Sequence, residues 1–237
     1  LIFIVPATWL ILDEFEKLRK FLAKNGEINI YYVGRVFKGL NVVCVILHFI
    51  KRGKGLKLYD AEFLRKPILN RVIENYAGEI ITFETRLTKL IEENAVVKMG
   101  DLFDIKISPR SPEVKEKKFV VKRKISDDYI PILNGKNLRP NYIDYNTCHS
   151  GFYIRRSDVS KLREWFLKDR IVIGHTKGGK LVSAIDYKHY PWMGDVYHLI
   201  PKNLSTLFHK FTLEEINQIL NSEIMNKYMR DKYRDIT

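Results

Sequence analysis

Apolar positions change their spacing several times along this chain, and each change marks an element. Ile2–Val5 is a continuous apolar run closed by Pro6, which predicts a strand buried on both faces of a parallel sheet. Leu12, Phe15, Leu18 and Leu22 then recur at helical spacing and predict a helix over 12–24, stopped by Asn25 and Gly26. Ile28–Val33 and Asn41–Ile50 return to strand-like runs rich in Val and Ile. Strand, helix, strand, strand is the order expected at the end of an open α/β sheet.

After the Lys51–Gly55 turn the periodicity weakens, and 58–95 reads as a connecting region of mixed helix and short strand. This divides the chain into an α/β part over 1–57, a connection over 58–95 and an α+β part over 96–237. In the last part short strands are separated by polar loops: Leu102–Ile107, Tyr129–Leu133, Gly151–Ile154, Arg170–Gly174, Leu181–Asp186 and Tyr197–Pro201. A helix is predicted over Ser157–Leu167. Another begins at Thr212, which has capping-box spacing to Glu215. A last helix from Ser222 carries Met225, Tyr228 and Met229 on one face, and no internal repeat interrupts this order.

Composition narrows the partner. With 237 residues and 46% hydrophobic content the chain can bury a substantial core. A formal net charge of +13 and a pI near 9.6 make nucleic acid the leading partner, because each Lys or Arg set on a phosphate releases condensed counterions. Two cysteines, Cys44 and Cys148, are too few for a disulfide framework or a zinc site; Cys44 lies in an apolar run and reads as packing, which suits a reducing cytoplasm. The opening run is broken by Pro6, is too short to span a bilayer and lacks a basic leader. The chain starts on a strand-like run without methionine, so a piece of a longer protein is expected.

Three basic loops hold the candidate chemistry. In Asp101–Glu113, Pro109 and Pro112 restrict the backbone around Arg110 and Ser111. A preorganised guanidinium suits bidentate contact with guanine, and an ion pair with Glu113 is the competing reading. Between Lys106 and Lys124 eight Lys or Arg face two Glu; Lys118 and its neighbours read as phosphate contacts or as a solvated face. Leu133–Pro140 offers Lys136, Asn137 and Arg139. Gly174–Lys180 resembles a phosphate-binding loop only loosely: Leu181 stands where Ser or Thr would hold magnesium, and a strand-like run follows instead of a helix. It reads instead as a glycine-turned hairpin presenting His175, Lys177 and Lys180, or as a solvated basic turn. His149, His175, His189 and His198 lack metal-ligand spacing, so no metal is expected. Tyr190–Trp192 reads as a packed aromatic corner, and Phe37, in a glycine-bearing loop between strands, as core or as a stacking ring.

Taken in order, residues 2–42, GDLFDIKISPRSPE, LNGKNLRP, the run at His149, GHTKGGK, YPW and NSEIMNKYMRDKYRD resemble the C-terminal part of TaqI-type adenine-specific DNA methyltransferases of type II restriction-modification systems. The resemblance implies an α/β remnant of a Rossmann-like methyltransferase sheet followed by an α+β target-recognition domain. It also implies S-adenosylmethionine as cofactor of the parent enzyme, and extrusion of the target adenine from duplex DNA. By the same resemblance Phe37 stacks on the extruded base. DNA contacts are expected from Arg110, Ser111, Lys118, Lys136, Asn137, Arg139, His149, His175, Lys177 and Lys180.

The departures matter as much. The chain contains no Pro-Pro, so the family's Asn/Asp-Pro-Pro-Tyr/Phe motif is absent, and so is the glycine-rich cofactor loop. Cofactor binding should be lost or severely weakened, and the chain alone should bind duplex DNA without methylating it. The missing N-terminal catalytic region and a cognate restriction endonuclease system are the implied partners. A specificity subunit that recruits a separate catalytic chain is the alternative.

Overall fold

The computed structural model describes residues 1–40, 42–175, 180–202 and 211–234, in two compact units: Leu1–Asn94 with Lys227–Thr237, and Ala95–Asn226. Both are mixed α/β.

The first unit comprises β1 (Ile2–Pro6), α1 (Glu16–Asn25), β2 (Gly26–Gly34), β3 (Cys44–Lys51), β4 (Leu56–Asp60), β5 (Ile68–Ile73) and α2 (Arg86–Asn94). Its five strands order as β1-β3-β2-β4-β5. Only β2 and β4 run parallel; the other pairs are antiparallel. Ile2–Val5 is therefore not a strand buried in a parallel sheet. It is an antiparallel edge strand on β3, with Leu1–Ile4 largely exposed. An apolar run records what a strand can bury, and its neighbours decide whether it does. The stretch 58–95, expected as a connection, contributes most of β4 and all of β5 to this sheet.

The first helix also differs from its expected face. Leu12 and Leu18 are exposed, while Arg19 is fully buried beside Leu22. The Arg19 guanidinium donates to the carbonyls of Trp9, Leu12 and Gly78, which gives the buried charge its acceptors. Ile28, Ile30 and Tyr32 alternate onto the core face of β2; Val33 and Cys44 pack on the other. The chain's last described residues return to this unit, where Phe83 N–H donates to Lys232 O and Arg234 Nη1 to Asp60 Oδ2 at 2.7 Å.

The second unit comprises α3 (Met99–Leu102), β6 (Phe103–Ile107), α4 (Ser111–Lys115), β7 (Val120–Val121), β8 (Tyr129–Pro131), β9 (Leu138–Arg139), β10 (Tyr142–Ile143), β11 (Tyr153–Arg155), α5 (Val159–Leu162), β12 (Arg170–His175), β13 (Leu181–Asp186), β14 (Tyr197–Pro201) and α6 (Leu213–Asn221). A further helix, α7 (Glu223–Lys232), starts here. An antiparallel sheet β13-β12-β14-β6 is joined by a three-stranded sheet β7-β11-β8 and the pair β9-β10. Ile171 and Leu199 face Ile216 and Leu220 of α6; Val172, Val182 and Ala184 face the larger core around Trp192 and Phe166. The expected helix over 157–167 is broken, because Arg163 is extended (φ −156°, ψ 126°) between α5 and a 3-10 turn. The Thr212 cap forms as expected: its hydroxyl accepts from Glu215 N–H, and Glu215 reaches back to the Thr212 amide.

Candidate nucleic-acid interface

The second unit ties its basic loops to one buried polar hub. Arg170 and Asp186 sit opposite each other in register on β12 and β13, both fully buried, with Nη2 2.7 Å from Oδ2. The guanidinium engages all five of its N–H groups: Nη1 on Phe166 O and Lys168 O, Nη2 on Asp186 and Tyr190 O, Nε on His198 Nδ1. Asp186 in turn accepts from Tyr145 O–H, Lys188 N–H, Tyr190 N–H and Trp192 Nε1–H. Burial pulls the Arg170 pKa down and Asp186 opposes it. Burial, reinforced by Asp186, pushes the Tyr145 phenol up, so it stays a donor.

From this hub a short segment runs out and clasps two loops through backbone hydrogen bonds. Pro191 O accepts from Leu133 N–H, and Met193 N–H returns to Leu133 O, which anchors Leu133–Pro140. Gly194 N–H donates to Pro109 O, and Ser108 N–H to Val196 O, which anchors the turn before Arg110. Gly194 turns with φ +90°, which a side chain would resist. The base of the third loop lies against the second: a Cβ at Gly174 would stand 3.2 Å from Leu138. The aromatic corner at Tyr190–Trp192 is thus a fastening for the loops, with Trp192 fully buried.

Arg110 stands just ahead of α4 as its N-cap, with Pro112 in the first turn. Its side chain is exposed and, among the described residues, has no hydrogen-bond or ion-pair partner. Glu113, the competing partner, is taken by Arg163 at 2.7 Å. Ser111 opens α4 half-buried, and Lys118 is exposed three residues past its end.

In the second loop Lys136 and Arg139 are exposed, and the Arg139 guanidinium folds back on Lys136 O and Leu138 O. Asn137 is fully buried, which corrects its expected place on the surface. Its amide donates to Asp144 O and Thr147 O, and its oxygen accepts from Asn134 N–H. It uses its polarity to close the loop onto the backbone at Asp144 and Thr147, just ahead of the exposed His149. Asn134 completes the box by accepting from Lys136 N–H.

The third loop is the β12–β13 hairpin, paired out to His175 and Leu181. Lys180 is exposed; Lys177 and the His175 side chain lie outside the described residues. In the first unit, Phe37 is half exposed in the turn after β2, not core. Sequence reading missed Phe63 and Leu64, in the turn after β4. Both are exposed and left-handed (φ 57° and 58°), an unusual state for non-glycine residues.

The second unit thus presents an exposed, partnerless arginine and further exposed cations on loops fastened to a buried core, a surface chemically suited to an anionic partner. Comparison with known proteins shows what the chain is similar to. Residues 130–237 match the TaqI-like C-terminal specificity domain. The chain is 41% identical over 238 residues to the type II methyltransferase M.TthHB8I of Thermus thermophilus, covering 99% of this chain and 54% of that protein. It therefore spans about half the length of the curated relative it matches. Among solved structures, the type IIL restriction-modification enzyme MmeI in complex with DNA aligns with a TM-score of 0.51 at 12% identity, over 97% of this chain and 36% of that one, a likeness of fold. Residues 130–237 are thus similar to a TaqI-like C-terminal specificity domain, and the chain as a whole is similar to about half of a type II methyltransferase.

Proposed function

We propose that this chain is the sequence-specific DNA-binding portion of an adenine-specific type II methyltransferase, working in the cytoplasm. Arg110 carries the reading: it is an exposed guanidinium, held on a proline-restricted turn and left without a carboxylate. Such a fork can take two acceptors of a guanine edge with little entropic loss. Lys118, Lys136, Arg139 and His149 add positive charge or hydrogen-bond donors for phosphates or bases nearby. Selection of duplexes from a random pool by the purified chain tests this; recovery of no shared sequence would refute it.

The first unit is read as the end of a Rossmann-like sheet whose Phe37 lies against an extruded base. Its support is position: Phe37 follows the carboxyl end of β2, and β4 runs parallel beside it, the end of such sheets where ligands bind. S-adenosylmethionine would be the cofactor of the whole enzyme. The residues present do not fit it: among the described residues no glycine-rich loop leads from a strand into a helix to cradle it, β1 running instead into Pro6 and a 3-10 turn. No step of methyl transfer is assigned to this chain. Labelled methyl appearing in DNA from this chain alone would overturn that statement. The exposed apolar edge of β1 favours a catalytic region laid beside it, in the same polypeptide or as a separate chain served by this one. Sequence encoded upstream of Leu1 distinguishes the two.

A further inference from the structure

The hub is fully buried, so contact with DNA does not explain its polarity. A buried ion pair is also a weak stabiliser beside an apolar equivalent, so what the hub holds becomes the question. The Arg170 Nε can only donate, and it lies 3.2 Å from His198 Nδ1. That contact makes Nδ1 the acceptor and leaves the ring proton on Nε2. Nε2 lies 2.7 Å from Ser108 Oγ, so the imidazole donates there. Trp165, Phe166 and Trp192 surround the ring, with centroids 4.7, 5.6 and 6.1 Å away. Ser108 is 2% exposed and immediately precedes Pro109 and Arg110.

We propose that His198, its tautomer set by Arg170, is a positioning residue that holds Ser108 and thereby aims the Pro109–Arg110 turn at a base edge. The chain of contacts runs from Asp186 through Arg170 and His198 to Ser108. One end anchors the Trp192 corner, and the other sets the turn that carries the exposed guanidinium. The inference rests on the DNA-recognition reading for its purpose and on the hydrogen bonds for its geometry.

The test uses the full chain. Nitrogen-15 spectra of histidine-labelled protein should show His198 as the neutral Nε2–H tautomer; an Nδ1–H ring overturns the proposal. Ser108→Ala removes the acceptor, and Ser108→Thr retains it. Loss of one net hydrogen bond should speed amide exchange at Ser108 and Gly194 about tenfold in Ser108→Ala, and lower preference for the selected duplex over a random one by about tenfold. Affinity for the random duplex should stay within about twofold, and Ser108→Thr should restore both readouts. Unchanged exchange, or equal loss on both duplexes, overturns the positioning role. If the unaltered chain shows no sequence preference, the DNA-recognition reading fails and takes the aiming role with it; the tautomer and exchange readouts then still decide whether His198 holds the turn.

Discussion

Arg163 Nη2 holds Glu113 Oε1 at 2.7 Å across the face of α4, and in doing so leaves Arg110 at the start of the same helix without a carboxylate. The two arginines compete for one acid, and the one on the scaffold has it. Both members of the pair are about one-third exposed, so its contribution to stability is small, of order 1 kcal/mol or less. Its larger effect is to leave a charge free.

Arg110→Ala should therefore cost about 1–3 kcal/mol at one base pair of the selected site and relax preference there. Lys118→Ala should weaken all duplexes alike and reduce the salt dependence by about one charge. Competition binding over a salt series separates them, and equal losses for Arg110→Ala on selected and random duplexes would make it a phosphate contact.

Asn137→Ala should act through stability. It removes two donations and one acceptance inside the loop, all three part-buried, about 2–4 kcal/mol in all. Thermal unfolding should show a clear fall in Tm, whereas Lys136→Ala, at an exposed position, should leave Tm nearly unchanged.

Asp186→Ala strands a fully buried guanidinium and should destabilise the second unit by about 3–5 kcal/mol. Replacing both charges, in Arg170→Met with Asp186→Leu, should cost less than the single change, since no unpaired charge remains. Urea unfolding of the three variants checks the order; a double variant weaker than Asp186→Ala would show that the hub's other hydrogen bonds dominate.

Acid should weaken the same unit through His198. Burial, then the Arg170 charge, holds its pKa well below the usual histidine value. Below about pH 6.5 the unfolded chain binds a proton that the folded one refuses, so stability is complete above that pH. It falls as pH drops, by up to about 1.4 kcal/mol per unit, until the folded value is reached. The urea midpoint should decline between pH 7 and pH 5. His198→Gln, which offers an oxygen to Arg170 and an N–H to Ser108, should remove that slope.

Local signals read well wherever the deciding partner is near in sequence. The Thr212–Glu215 box, the strands Leu181–Asp186 and Tyr197–Pro201 and the buried Cys44 all appear as expected. Reading failed where the partner is distant. Leu18 and Arg19 differ by one position on a helix, and only the carbonyls of Trp9, Leu12 and Gly78 turn the arginine inward. Arg170, Asp186 and His198 were individually unremarkable in the sequence; the register of three strands makes them a hub.

By itself the sequence determined the basic charge, the order of the loops and the residue types they carry, because charge, proline restriction and glycine turns are properties of adjacent residues. Only the tertiary structure decided which polar groups face outward. Asn137 was drawn in to staple a neighbouring segment, Glu113 went to Arg163, and Arg110 was left exposed. A buried polar group must find partners wherever the fold supplies them, and a pattern of adjacent residues does not show where those lie.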